Sequence, residues 1–162
     1  MKANGTEIAG CAVTEILFYQ LHRQPIERVL PTLLEKSLER GWRVVVQAAS
    51  EERVEALDSH LWTFTDDSFL PHSTWRDPEA KSQPILITTH PDNPNNATVR
   101  FLIDGAPVPE DAASYARIVL LFDGEDPDAL EAARLRWTQA KNSGFEVTYW
   151  QPDEKGRWQR KA

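Results

Sequence analysis

The sequence predicts an α/β fold: a mostly parallel sheet with helices on both faces. Three observations predict it. Strand-like and helix-like segments alternate along most of the chain. Two runs, "WRVVVQA" (42–48) and "YARIVLLF" (115–122), are continuously apolar over most of their length, as in strands covered on both faces. Two segments, 25–41 and 126–144, carry helix start and stop signals around helical spacing.

The elements follow in order. Residues 1–12 read as a loose leader with no clear period. "VTEILFYQL" (13–21) is rich in β-branched and aromatic residues and reads as a strand. "PIERVLPTLLEKSLERG" (25–41) places Ile26, Val29, Leu30, Leu33, Leu34 and Leu38 at helical spacing, with Pro25 at its start and Gly41 at its stop. Pro31 inside it predicts a kink or a late start. Ser50 is placed to cap a helix that begins at Glu51 and Glu52, where the helix dipole favours acids. Residues 63–84 are rich in turn formers and read as loop. Short strands follow at 85–89 and 98–104, separated by the turn-rich 90–97; 105–113 is again loop. Asp126, Pro127 and Gly144 cap, open and stop a helix over 126–144. "FEVTYW" (145–150) is a last strand. The tail 151–162 is polar and reads as frayed or as an edge hairpin. The organisation is one domain over 13–150, with a leader before it and a tail after it.

With 162 residues and 41% apolar composition the chain can bury its own core. Cys11 is the only cysteine, so no intrachain disulfide forms and no thiolate metal site is expected. No signal peptide is visible. No apolar stretch approaches the roughly 18 to 20 residues of a membrane span. The expectation is a cytoplasmic protein. The formal net charge of −7 argues against tight, sequence-independent binding to nucleic acid.

Enzyme chemistry is hard to find. The first strand-to-helix turn, "YQLHRQPIERV", contains no glycine, so neither a Walker loop nor a dinucleotide fingerprint is present. His22 and Arg23 sit where α/β enzymes place their sites, but the plainer reading is a solvated loop pair. Asp123 in "FDGEDPD" (122–128) is the best candidate to hold magnesium for a nucleotide-dependent enzyme. The plainer reading of that segment is helix capping. His60, His72 and His90 have no metal-ligand spacing, and no cofactor is expected.

One segment carries charge of a single sign. "RLRWTQAKNSGF" (134–145) holds Arg134, Arg136 and Lys141 around Trp137, with no acid between Glu131 and Glu146. From Arg134 onward the chain has seven basic residues and three acidic ones, although the whole chain is acidic. On a helix, Leu130, Arg134, Trp137 and Lys141 form one stripe beside the small Ala133 and Ala140. An arginine fork beside a flat indole suits a peptide that ends in an aromatic residue and a free carboxylate. The alternative is a half-buried Trp137 among solubility charges. A second aromatic cluster, Leu61, Trp62, Phe64, Phe69 and Leu70, is either core or a docking patch.

Several of these segments together resemble the chi subunit of bacterial DNA polymerase III. The carriers are "FYQL", "GWRVVV", "ALDSHLW", "DDSFLPH" and "ARLRWTQAKNSGF", and the similarity runs from about Thr14 to Trp150. The resemblance implies a Rossmann-like fold without a phosphate loop and no catalytic activity. It implies a clamp-loader accessory role, joining the psi subunit to the acidic C-terminal tail of single-stranded-DNA-binding protein. The family's tail-gripping arginine and aromatic fall on Arg134 and Trp137. Two family lysines fall on Leu130 and Thr138, so Lys141 and Arg136 are expected to supply the charged rim. The psi-facing surface falls on Trp62 and Phe69, with Leu70 beside them. A psi-independent adaptor that recruits a helicase or repair protein through the same patch is the competing expectation.

Overall fold

The computed structural model describes residues 13–63 and 70–162. The expected leader at 1–12, Phe64 and Phe69 lie outside the described residues. The strands are β1 (Glu15–Leu21), β2 (Val44–Gln47), β3 (His72–Thr74), β4 (Ile85–Thr88), β5 (Val99–Leu102), β6 (Arg117–Asp123), β7 (Glu146–Pro152) and β8 (Trp158–Arg160). The helices are α1 (Ile26–Glu39), α2 (Glu51–Thr63) and α3 (Pro127–Asn142).

The strands form one sheet in the order β3-β4-β2-β5-β6-β1-β7-β8, and every pairing is parallel except the last. Both apolar runs lie inside it: β2 pairs with β4 and β5, and β6 with β5 and β1. On one face Leu30 and Leu34 of α1 and Leu57 and Leu61 of α2 pack on Val44, Val46, Phe101 and Leu121. On the other, Ala133 and Ala140 of α3 pack with Ile16, Phe18, Ile118 and Leu120. The fold is therefore the expected one, with helices on both faces.

Several details differ from the sequence reading. The 63–84 stretch contains β3 and a short 3-10 turn at Ala80–Ser82. β3 is three residues long, and its buried His72 and Ser73 are polar, so periodicity could not reveal it. Of the two readings of the tail, the edge hairpin is the one found: β8 runs antiparallel to β7, pairing Trp150 with Arg160. Pro31 sits inside an unbroken α1. It removes the N–H that would bond the Glu27 carbonyl, and His60 Nε2 of α2 donates to that oxygen instead, at 2.6 Å. His60→Ala orphans the carbonyl and is expected to cost about 1–2 kcal/mol, read as a lower urea midpoint. An unchanged midpoint would show that water replaces the imidazole.

The second core layer holds a charge. Arg100, in mid-β5, is 0% exposed. Its acceptors are Gln47 Oε1 at 2.6 and 3.0 Å, the Tyr115 hydroxyl at 2.9 Å, and the backbone carbonyls of His90 and Asp92 at 2.5 and 2.9 Å. This fan ties the 90–97 loop and Tyr115 to the centre of the sheet.

Candidate peptide-binding site

α3 forms where its signals place it. The Asp126 carboxylate accepts from Asp128 N at 3.0 Å, and Pro127 opens the helix. At the other end Gly144 takes φ +88°, a left-handed turn that a side chain would strain. Gly144 N then bonds Lys141 O, and Phe145 N bonds Ala140 O. The chain is thereby turned directly into β7, which lies beside β1.

That turn places Trp137 against two strands. Its ring meets Phe18 of β1 edge-on, with centroids 5.6 Å apart, and Tyr149 of β7 at 5.9 Å. Lys141 Nζ lies 5.4 Å from the Trp137 centroid. The Tyr149 hydroxyl donates to Gln20 Oε1, which also accepts from Gln151 Nε2 at 3.0 Å. Burial raises the Tyr149 pKa, and the Gln151 hydrogen bond and the nearby Arg134 charge offset part of the rise. Arg134 itself is exposed, and its guanidinium has no ion-pair partner among the described residues. Leu130 is half-buried one turn before it.

The stripe of Leu130, Arg134, Trp137 and Lys141 is thus assembled, and Trp137 is both half-buried and part of it. Tyr149 joins it; strand alternation in "FEVTYW" could have placed Val147 and Tyr149 on one face, but not beside Trp137. Arg136 does not join. It leaves α3 on another flank and donates to the carbonyls of Ala106 at 2.9 Å and Gly105 at 2.7 Å. Burial lowers its pKa from the ordinary arginine value. Its donors are thus engaged by the loop at 105–106, although its charge remains. A shallow cavity of about 630 Å³ opens on the outer side of α3, lined by Asp128, Glu131, Ala132, Arg134, Leu135 and Thr138.

The second patch is divided. Trp62, at the end of α2, is 53% exposed and lies 4.5 Å from the His72 ring. Leu70 is 2% exposed and packs in the core with Leu61, the core alternative for this cluster. Phe69 lies outside the described residues.

The strand-end cleft offers poor nucleotide chemistry. A cavity of about 780 Å³ opens above β1 and β6, and Glu27, Asp104, Asp123, Glu125, Asp126 and Asp128 all line it. Arg53, its inner cation, is held by Glu27 and by Asp104 at 2.8 Å. Asp123 Oδ1 accepts Glu125 N at 2.9 Å, the capping geometry of a loop leading into α3. Among the described residues no group of three or more His, Cys, Asp or Glu could hold a metal ion, and no helix is long and apolar enough to cross a membrane.

The family described as DNA polymerase III chi subunit, HolC, matches residues 13–148. The chain belongs to the DNA polymerase III chi subunit family. Curated relatives agree with this. A probable DNA polymerase III subunit chi from Rickettsia prowazekii (strain Madrid E) is 29% identical over 111 residues, covering 65% of this chain and 67% of the relative. DNA polymerase III subunit chi from Pseudomonas aeruginosa is 24% identical over 113 residues, covering 70% and 77%. The whole Leu130–Lys141 stripe and Trp62 fall inside the chi-family match; the end of β7 and all of β8 lie beyond it.

Proposed function

We propose that this chi-family chain is a non-catalytic adaptor that holds the acidic C-terminal tail of single-stranded-DNA-binding protein on α3 and joins it to the psi subunit of the clamp loader. The observation that carries the reading is Arg134: an exposed guanidinium with no ion-pair partner among the described residues, one turn from an indole fixed by two other rings. An unpaired fork beside a rigid apolar wall is complementary to a terminal carboxylate next to an aromatic side chain. Lys141, above the same indole, supplies charge for upstream acids. Fluorescence anisotropy with a labelled tail peptide tests the reading, with Arg134→Ala as the decisive variant.

Trp62 is the anchor for the psi subunit in this reading, since a half-exposed indole at a helix end has the character of an interface hot spot. Trp62→Ala is expected to weaken that partner by about 30-fold or more, ~2 kcal/mol, and to leave tail-peptide affinity unchanged. A co-purification with partner and peptide measured on the same preparation reads both. Undiminished psi binding would overturn the assignment; capture of a helicase or repair protein in its place would favour the psi-independent adaptor.

A further inference from the structure

On the α1 face of the sheet, away from the tail stripe, a cleft separates α1 from the C-terminal hairpin. Its inner part, about 230 Å³, has Leu33 and Lys36 of α1 and the C-cap residue Arg40 on one side and Trp150 and Trp158 on the other, with Tyr19 of β1 between them. An outer part of about 510 Å³ continues it past Arg28 and Arg157, sharing Leu33, Lys36 and Trp158. Neither part is lined by a single carboxylate. In a chain of formal charge −7, the cleft nevertheless gathers Arg28, Lys36, Arg40, Arg117 and Arg157.

We propose that this cleft binds a short stretch of single-stranded DNA. Arg28, Thr32 and Lys36 follow one another at four-residue steps along α1, so a cation or hydroxyl recurs about every 6 Å, and Arg40 follows at the helix C-cap. The aromatic floor is continuous: Tyr19 stacks on Trp150 with centroids 6.0 Å apart and meets Trp158 at 4.7 Å. Arg40 and Arg117 each lie 5.0 Å from the Trp42 ring at the inner end. Arg117 gives one nitrogen to Glu15 at 3.1 Å, and Arg157 lies 3.8 Å from Asp153; the buried Nε of Arg117 has no partner.

A row of cations along an aromatic floor is the arrangement that tracks a phosphate backbone while bases stack. The inner cavity has room for about one flat ring system, and a duplex has no unstacked base to place there. An acidic peptide that ends in one aromatic residue would use the cations but cover only part of the aromatic floor, whereas successive bases cover it all. The acidic body keeps the affinity modest. Trp158 and Trp150 lie beyond residue 148, so this wall stands outside the part of the chain that defines the family. The inference is independent of the α3 reading.

The test is anisotropy of a labelled oligothymidylate titrated with the full chain at about 50 and 200 mM salt. Binding is expected on the order of 10⁻⁵ to 10⁻⁴ M at the lower salt, weakening at the higher. Lys36→Glu with Arg40→Glu, both on exposed positions, should weaken it about tenfold or more without changing tail-peptide affinity. Trp158→Ala should weaken it about fivefold or more, and Trp158→Phe should restore part of the loss. No binding at the lower salt, or binding indifferent to the double charge reversal, overturns the proposal. So does displacement of the oligonucleotide by an acidic peptide at lower concentration, which would make the cleft a peptide site. A matched RNA that binds more tightly overturns the assignment to DNA.

Discussion

Arg134→Ala is expected to weaken capture of the acidic tail peptide by about 10- to 150-fold, ~1.5–3 kcal/mol. The size follows from the loss of a charge-assisted, two-pronged contact whose partner, a terminal carboxylate, would remain against the Trp137 wall without a counter-charge. Arg134→Lys should recover only part, because an ammonium cannot form the fork. Lys141→Ala should cost less, about two- to fivefold at low salt, and its effect should fade as salt rises, since rim charges are screened. Arg136→Ala should leave peptide affinity nearly unchanged, because its donors serve Gly105 and Ala106. Equal affinity of wild type and Arg134→Ala at both low and high salt would show that the stripe is only a solvated helix face.

Arg100→Ala is expected to destabilise the domain by about 3–5 kcal/mol, a large part of the whole for a protein of this size. The truncation leaves a cavity between the sheet and the 90–97 loop. It also orphans the buried Gln47 amide oxygen, which costs about 1–3 kcal/mol without a partner, and releases the part-buried carbonyls of His90 and Asp92 to solvent. Arg100→Leu combined with Gln47→Leu should be less damaging than the sum of the two single changes, because it removes one orphan with its partner. Urea unfolding read by tryptophan fluorescence measures all three variants. A loss below about 1 kcal/mol for Arg100→Ala would mean that water enters and bonds the freed groups. Tyr115 offers a second readout. Its pKa is raised by burial and held back by Arg100, so the truncation removes the restraint while opening the site to solvent.

The tail stripe was legible because every ingredient is local. Helical spacing alone aligns Leu130, Arg134, Trp137 and Lys141, and the absence of acids from 132 to 145 marks the segment. The engagement of Arg136 by a loop has the opposite origin. Its acceptors lie about thirty residues earlier in the chain, in a loop whose path no periodicity encodes. The burial of Leu70 was undecided for a similar reason. An aliphatic residue in a turn-rich segment carries no face, and only the packing of α2 against β3 and β4 puts it inside. Arg100 escaped notice altogether: one arginine in a short strand reads as an exposed edge position until its neighbours close over it.

By itself the sequence determined the element types, both caps of α3, the parallel character of the sheet and the missing phosphate loop, because short-range sterics and hydrogen bonding set these within a few residues. Only the tertiary structure decided the strand order, the pairing of the tail into the sheet, the rescue of the Pro31 gap by His60 and the placing of Trp158 beside Tyr19. Apart from the short β7–β8 hairpin, those contacts join segments roughly 30 to 140 residues apart. Each depends on which apolar surfaces find one another once the sheet has assembled, a choice that no local pattern records.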